Sequence, residues 1–291
     1  MKRLLITAII LCVVLTGCAG QPAPAQIAAT TLPVYEFTTM LCRNTDLQVC
    51  RLVTESVSCL HDYTLQVSQM KALGAADAVI VSGAGLEDFL GESLVGTQTV
   101  IDASDEVTLL CHEDTHNHDH DHDHVHEHDP HIWLSPVLAK QMAQNICRGL
   151  TATYPAYTET FATNLITLES ELDRLYAYGQ AQLSNLSSRE LVTFHDGFAY
   201  LADAFGLTIL HAIEEESGSE ASAGELIELI TLVQEHKLGA VFTEQNGSVS
   251  AASVIAGETG ADIFQLDMAM SGESYFEAMY HNIDTLKEAL E

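Results

Sequence analysis

Between His112 and His131 stand nine of the chain's fourteen histidines, interleaved mainly with Asp and Glu. Alternating imidazoles and carboxylates offer many overlapping nitrogen and oxygen donor sets to Zn2+ and similar cations without imposing one geometry. His112, His116, His118, His120, His122, His124, His126 and His128 therefore read as an accessory metal-capturing loop. The tract has no apolar periodicity and cannot bury a core, so the sequence predicts a flexible insertion. Ordering such a segment costs conformational entropy, which suits capture or buffering better than tight selection. Tight selection needs donors on fixed elements, and five residues outside the capture loop are candidates: His61, His131, His195, Glu244 and Asp267.

The elements that must hold them alternate. Strands are predicted at Gln26–Thr30, Leu47–Val53, Ala78–Val81 and Thr99–Asp102, with helices over Val34–Leu41, Ser68–Ala75 and Pro136–Thr153. After Tyr154-Pro155 a helical pattern runs from Ala156 to Leu183, with Phe161, Leu165, Leu168, Leu172, Leu175 and Tyr176 close to 3.6-residue spacing. Strands then resume at Glu190–Phe194, Leu207–Ala212, Ala240–Thr243 and Asp262–Leu266, between helices at Gly197–Phe205, Ala223–His236, Ser248–Thr259 and Tyr275–Leu290. The expected fold is α/β: two lobes with parallel β-sheets flanked by helices, on either side of one long helix.

Open α/β sheets bind ligands beyond the carboxyl ends of their strands. His195, Glu244 and Asp267 each follow a predicted strand of the second lobe. His61 lies in the loop after Leu47–Val53 and His131 just ahead of the helix at Pro136, so the first lobe can supply donors to the same cleft. Neutral imidazole is the commonest side-chain metal ligand. On position alone Asp267 and Glu244 read more often as turn or helix-cap residues than as ligands.

A formal charge of −30, from 11 Lys+Arg against 41 Asp+Glu, argues against nucleic acid as a partner and favours small cations. An apolar fraction of 47% over 291 residues excludes a disordered or collagen-like chain. Lys2 and Arg3 precede an apolar run from Leu4 to Leu15, shorter than the roughly 20 residues of a permanent membrane span, so it reads as a secretory signal. Leu15-Thr16-Gly17-Cys18 resembles a bacterial lipobox, which would leave Cys18 as a lipid-modified N-terminus. Cys42, Cys50, Cys59, Cys111 and Cys147 remain; their odd number implies at least one free thiol, and Cys42 to Cys50 is the nearest candidate disulfide. Two motifs are decoys. His112-Glu113-Asp114-Thr115-His116 matches the metalloprotease pattern but lacks the packed helix that chemistry needs, and Gly83-Ala84-Gly85 is explained as well by a tight strand-to-helix turn as by a dinucleotide loop.

The runs His61-Asp62-Tyr63-Thr64-Leu65, His128-Asp129-Pro130-His131-Ile132-Trp133-Leu134-Ser135-Pro136, Phe194-His195-Asp196-Gly197-Phe198 and Phe242-Thr243-Glu244 resemble the zinc- and manganese-binding solute receptors of ABC transporters. These are the cluster A-I substrate-binding proteins, and the ZnuA-like zinc receptors are the most similar subgroup. The resemblance implies one rigid helix joining the lobes and a single metal ion between them, held by His61, His131 and His195, with Asp267 at the fourth position. Glu244 then orients a ligand or replaces Asp267. Where some zinc receptors carry Glu before the first histidine, this chain has Leu60. Three nitrogens and one oxygen, from Asp267, Glu244 or water, favour Zn2+ over Mn2+, which prefers oxygen-rich sites. Since ligation requires neutral imidazoles, affinity is expected to fall as pH drops through about 6.5.

The expected division is 1–17 signal peptide, 18–26 lipidated tether, 27–154 first lobe carrying the His-rich loop 112–128, 155–185 linking helix and 186–291 second lobe. The expected function is zinc capture outside the cytoplasmic membrane, or in the periplasm where an outer membrane exists. The protein would be a monomer anchored at Cys18 and would deliver to an ABC permease driven by a cytoplasmic ATPase. A manganese receptor, or a metal-buffering surface adhesin without a transport partner, is the alternative. A zinc hydrolase using His195-Asp196 with Glu244 as base is the weaker reading, and no enzyme activity is expected.

Overall fold

A computed structural model describes residues 25–55, 60, 63–94, 96, 98–110, 128–212, 222–245 and 249–291. His61 and the histidines from His112 to His126 thus lie outside the described residues, as do Cys59, Cys111 and the signal and lipobox segment.

In the first lobe β1 (Ile27–Ala29), β2 (Val49–Arg51), β3 (Ala78–Val81) and β4 (Thr99–Asp102) form a parallel sheet in the order β2-β1-β3-β4. In the second, β5 (Glu190–Thr193), β6 (Thr208–Ala212), β7 (Ala240–Glu244) and β8 (Asp262–Leu266) repeat that order as β6-β5-β7-β8. The central strands β1 and β3 are buried along their whole length, as expected where helices cover both faces of a parallel sheet. In each lobe the connections leave the first and third strands in opposite directions, which opens a crevice at their carboxyl ends.

The helices are α1 (Leu32–Leu41), α2 (Val67–Ala75), α3 (Pro136–Thr153), α4 (Thr158–Gln182), α5 (Ala199–Phe205), α6 (Ala223–His236), α7 (Ser250–Thr259) and α8 (Tyr275–Leu290). Local chemistry sets several of their ends. Ser135 caps α3, with Pro136 at its first position. Ser222 and Glu225 form a reciprocal capping box on α6. Gly206 takes the left-handed conformation that ends α5, at φ 64°.

Helix α4, 25 residues long, reaches about 37 Å at ~1.5 Å per residue and leads from the first sheet to the second. Its buried stripe of Phe161, Leu168, Leu172, Leu175 and Gly179 packs against α1, α3 and α8. The main hydrophobic core is therefore continuous through both lobes, holding Ile27, Phe37 and Trp133 of the first, Leu172 of α4, and Phe242 and Tyr275 of the second in one cluster. Smaller clusters lie on the outer faces, around Val79 and Leu73 in one lobe and around Val241 and Leu229 in the other. Domains that share so much apolar surface do not swing freely.

Polar ties reinforce this contact. The segment after β8 belongs to the second lobe yet bonds to the first: Leu32 N–H donates to Met270 O at 3.2 Å and Arg51 Nη1 to Gly272 O at 2.8 Å. The Glu36 carboxylate, on α1, accepts from Tyr275 N–H at 2.6 Å and from Ser274 Oγ at 3.2 Å, so it caps α8 from across the lobe boundary. Cys42, Cys50 and Cys147 are all free thiols, so the Cys42–Cys50 disulfide does not form. Among the described residues, no helix is long and apolar enough to cross a membrane.

Candidate metal centre

His131 precedes a 3-10 turn, Ile132–Leu134, whose three side chains are fully buried and pull the histidine inward with them. Asp129, two residues earlier, accepts from the His131 backbone N–H at 2.9 Å and faces its ring Nδ1 at 2.8 Å, both through Oδ1. A proton on Nδ1 directed at that carboxylate leaves Nε2 as the lone-pair donor, the arrangement by which carboxylates orient metal-binding imidazoles. The other oxygen, Asp129 Oδ2, is buried and has no hydrogen-bond partner among the described residues.

His195 comes from the opposite lobe. Strand β5 ends at Thr193, one residue earlier than the sequence pattern predicts, and His195 stands just beyond its carboxyl end. Its ring meets that of His131 edge to face, with centroids 5.5 Å apart at 82°. Glu244, the last residue of β7 rather than the first beyond it, brings Oε2 to 3.8 Å from His195 Nδ1, an ion-pair distance and not a hydrogen bond. The imidazole lies so close over Gly197 that a Cβ there would sit 2.7 Å from His195 Cδ2 and 2.6 Å from Met268 Cε. Glycine leaves that space to the ring.

Met268 ties Asp267 to this region. Asn282, fully buried on α8, clamps the Asp267 backbone by accepting its N–H and donating to its C=O, each at 2.7 Å. The Asp267 carboxylate accepts from Ala269 N–H at 2.7 Å. Burial holds its pKa above the usual carboxylate range, opposed by that hydrogen bond and by the charge of His281. Trp133 Nε1 donates to Met268 O at 2.7 Å, and Trp133 O in turn accepts from Tyr275 OH at 2.8 Å. The loop bearing Asp267 is thereby fastened two residues from His131.

Of the five candidate donors, the structure brings His131 and His195 face to edge and sets Glu244 beside His195. Among the described residues no three His, Cys, Asp or Glu side chains have the spacing of a metal cage. His128 is exposed at the end of the His-rich tract. Asp129, Trp133 and Asn282 were not singled out by sequence reasoning. Asp129 and Trp133 stand in the quoted run around His131 without a role assigned to them there, and Asn282 carried no signal.

The corresponding crevice of the first lobe is filled by the chain itself. Glu87 accepts from Thr30 Oγ1 at 2.6 Å, Ser82 N–H at 2.7 Å and Gly83 N–H at 2.9 Å. The amides that a dinucleotide phosphate would use are thus taken by a carboxylate of the same turn, and Gly83-Ala84-Gly85 is the tight strand-to-helix connection. Burial pushes the Glu87 carboxyl up to about 7, against these three hydrogen bonds.

Two α/β lobes share one core along a long helix, and an imidazole from each meets the other in the cleft between them. The model of the family described as zinc-uptake complex component A, periplasmic (ZnuA), matches residues 27–289, and the chain belongs to that family. The zinc-binding lipoprotein AdcA of Streptococcus pneumoniae (strain ATCC BAA-255 / R6) is 30% identical over 313 residues, covering 99% of this chain and 61% of AdcA. The chain thus spans about three fifths of the length of that relative. A crystal structure of ZnuA superposes with a TM-score of 0.79 at 28% identity, covering 92% of this chain and all of that one. The Zn(II)-bound ZnuA-like domain of S. pneumoniae AdcA gives 0.75 at 28% identity, covering 91% and 98%. These relatives are described as zinc-binding and zinc-uptake proteins.

Proposed function

We propose that this protein is a lipid-anchored extracytoplasmic receptor that captures Zn2+ between its lobes and delivers it to an ABC permease driven by a cytoplasmic ATPase. The observation that carries the reading is the meeting of the His131 and His195 imidazoles across the lobe boundary, each with a carboxylate at its Nδ1 side. His131 and His195 supply two nitrogens, His61 a third and Asp267 an oxygen, with Glu244 orienting His195. That donor set suits tetrahedral Zn2+ better than Mn2+. The relatives named for zinc support the choice of metal. Cys18 is the site of lipid attachment, and the acidic His-rich loop raises the local cation concentration at the cleft.

A zinc titration by calorimetry with a competing chelator tests this reading on residues 19–291. It is run beside a version lacking 112–128 and a His195→Ala variant of that shortened chain. One tight site should survive removal of the loop and disappear with His195→Ala. Tight binding that vanishes with the loop alone would replace the receptor reading with a metal-buffering surface lipoprotein. Cross-linking to the permease in membranes, lost when Cys18 is replaced, tests delivery and anchoring.

A further inference from the structure

The phenol of Tyr200 is buried to 1% exposure on α5, five residues after His195, and reaches into the other lobe. Its hydroxyl donates to Asp129 O at 2.9 Å and accepts from Leu110 N–H at 2.9 Å. Leu110 and Asp129 flank the His-rich tract and also bond to each other, Asp129 N–H donating to Leu110 O at 3.1 Å. One hydroxyl from the second lobe therefore closes the neck of the tract, using both its donor and its acceptor capacity.

Asp129 passes this constraint on. Its Oδ1 holds His131 at two points, while Oδ2 has no hydrogen bond among the described residues, so within them His131 alone anchors the carboxylate. What places the carboxylate is the Asp129 backbone, and what holds that backbone from the opposite lobe is Tyr200. The segment His195 to Tyr200 thus supplies one imidazole of the cleft and fixes the other.

We propose that Tyr200 is a positioning residue for zinc capture, setting the His131 imidazole against His195 through the backbone and carboxylate of Asp129. This rests on the zinc-receptor reading. It adds that docking of the two lobes and the readiness of His131 to ligate depend on the same hydroxyl, and that the role is independent of the metal-capturing tract.

The test is Tyr200→Phe, made in residues 19–291 and in the same chain lacking 112–127. Tyr154→Phe, which removes a remote hydroxyl bonded to Gln26 O at 3.4 Å, is the control. Zinc affinity is measured by chelator competition and the dissociation rate by stopped flow. The His131 Nδ1–H resonance is followed by NMR in zinc-free protein with 15N-labelled histidine. Loss of one buried hydrogen-bonding group should weaken zinc binding about three- to tenfold, mainly through faster dissociation and equally in both backgrounds. The His131 Nδ1–H signal should shift or broaden, and Tyr154→Phe should do neither.

Unchanged affinity with an unchanged His131 signal overturns the inference, even if the melting temperature falls. A loss seen only when the tract is present also overturns it, since Tyr200 would then act on the tract. If the parent protein has no zinc site dependent on His195, the receptor reading fails on its own account. The His131 resonance still decides whether Tyr200 positions that ring.

Discussion

Asp129 grips His131 through one oxygen, which lies 2.9 Å from the backbone nitrogen and 2.8 Å from ring Nδ1. Both partners are nearly enclosed, at 5% and 2% exposure for His131 and Asp129, so the pair is weakly screened. Asp129→Asn keeps an acceptor for the backbone N–H but removes the charge that favours the Nδ1–H tautomer. Zinc affinity is expected to fall about 10- to 100-fold, the usual cost of losing a partner behind a metal-bound imidazole. Chelator competition at pH 7.5 checks this, with circular dichroism showing that the fold persists.

Trp133 is the chain's one tryptophan and meets the His131 ring edge to face with centroids 5.3 Å apart. Its emission should therefore change saturably as zinc binds, reaching a plateau at one equivalent in the chain lacking 112–128. His131→Ala should abolish the change while leaving the emission of the zinc-free protein blue-shifted, because Trp133 is fully buried. A zinc-induced change that survives His131→Ala would place the metal elsewhere.

The same indole joins the lobes. Trp133→Phe leaves Met268 O without its donor, and Tyr275→Phe does the same to Trp133 O. Each should destabilise the protein by about 1–3 kcal/mol, the cost of an unsatisfied buried polar group. Trp133→Ala should cost about 3–5 kcal/mol through the cavity it leaves. Urea unfolding followed by circular dichroism should show one transition throughout, because the core is continuous through both lobes.

Glu87 makes stability pH-dependent in an unusual direction. Its folded-state pKa, raised by burial to about 7, exceeds that of an unfolded carboxyl, so the native state binds the extra proton. The contribution is fully present below the unfolded value near 4.5 and is lost as pH rises through about 7. Relative to Glu87→Gln, the zinc-free parent should lose about 2–3 kcal/mol between pH 4.5 and pH 7.5. The substitution also removes the carboxylate acceptor of Gly83 N–H, which adds a constant offset and no slope. Parallel unfolding curves at both pH values would show that Glu87 does not titrate in this range.

Much of the architecture was legible in the chain because its causes are local. The run Ala78–Val81 is apolar at every position and becomes a strand buried on both faces. Ser135-Pro136 and Ser222 with Glu225 announce the helices they cap. His195 could be nominated from the position of one strand alone, and the alternation of elements was enough for the two parallel sheets. The Gly83-Ala84-Gly85 turn was ambiguous because glycines permit a phosphate cradle and a tight turn alike. Only the fold shows that Glu87 occupies the amides.

The sequence by itself determined the elements, their order and the kinds of donor available, since burial pattern, capping and dihedral preference act over a few residues. Tertiary structure decided which donors meet and what holds them. Tyr200 finds Asp129 across 71 positions and Trp133 finds Met268 across 135, with no periodicity to announce either pair. Such pairs exist because α1, α3, α4 and α8 bury one apolar core common to both lobes. That burial, rather than any local preference, sets His131 against His195.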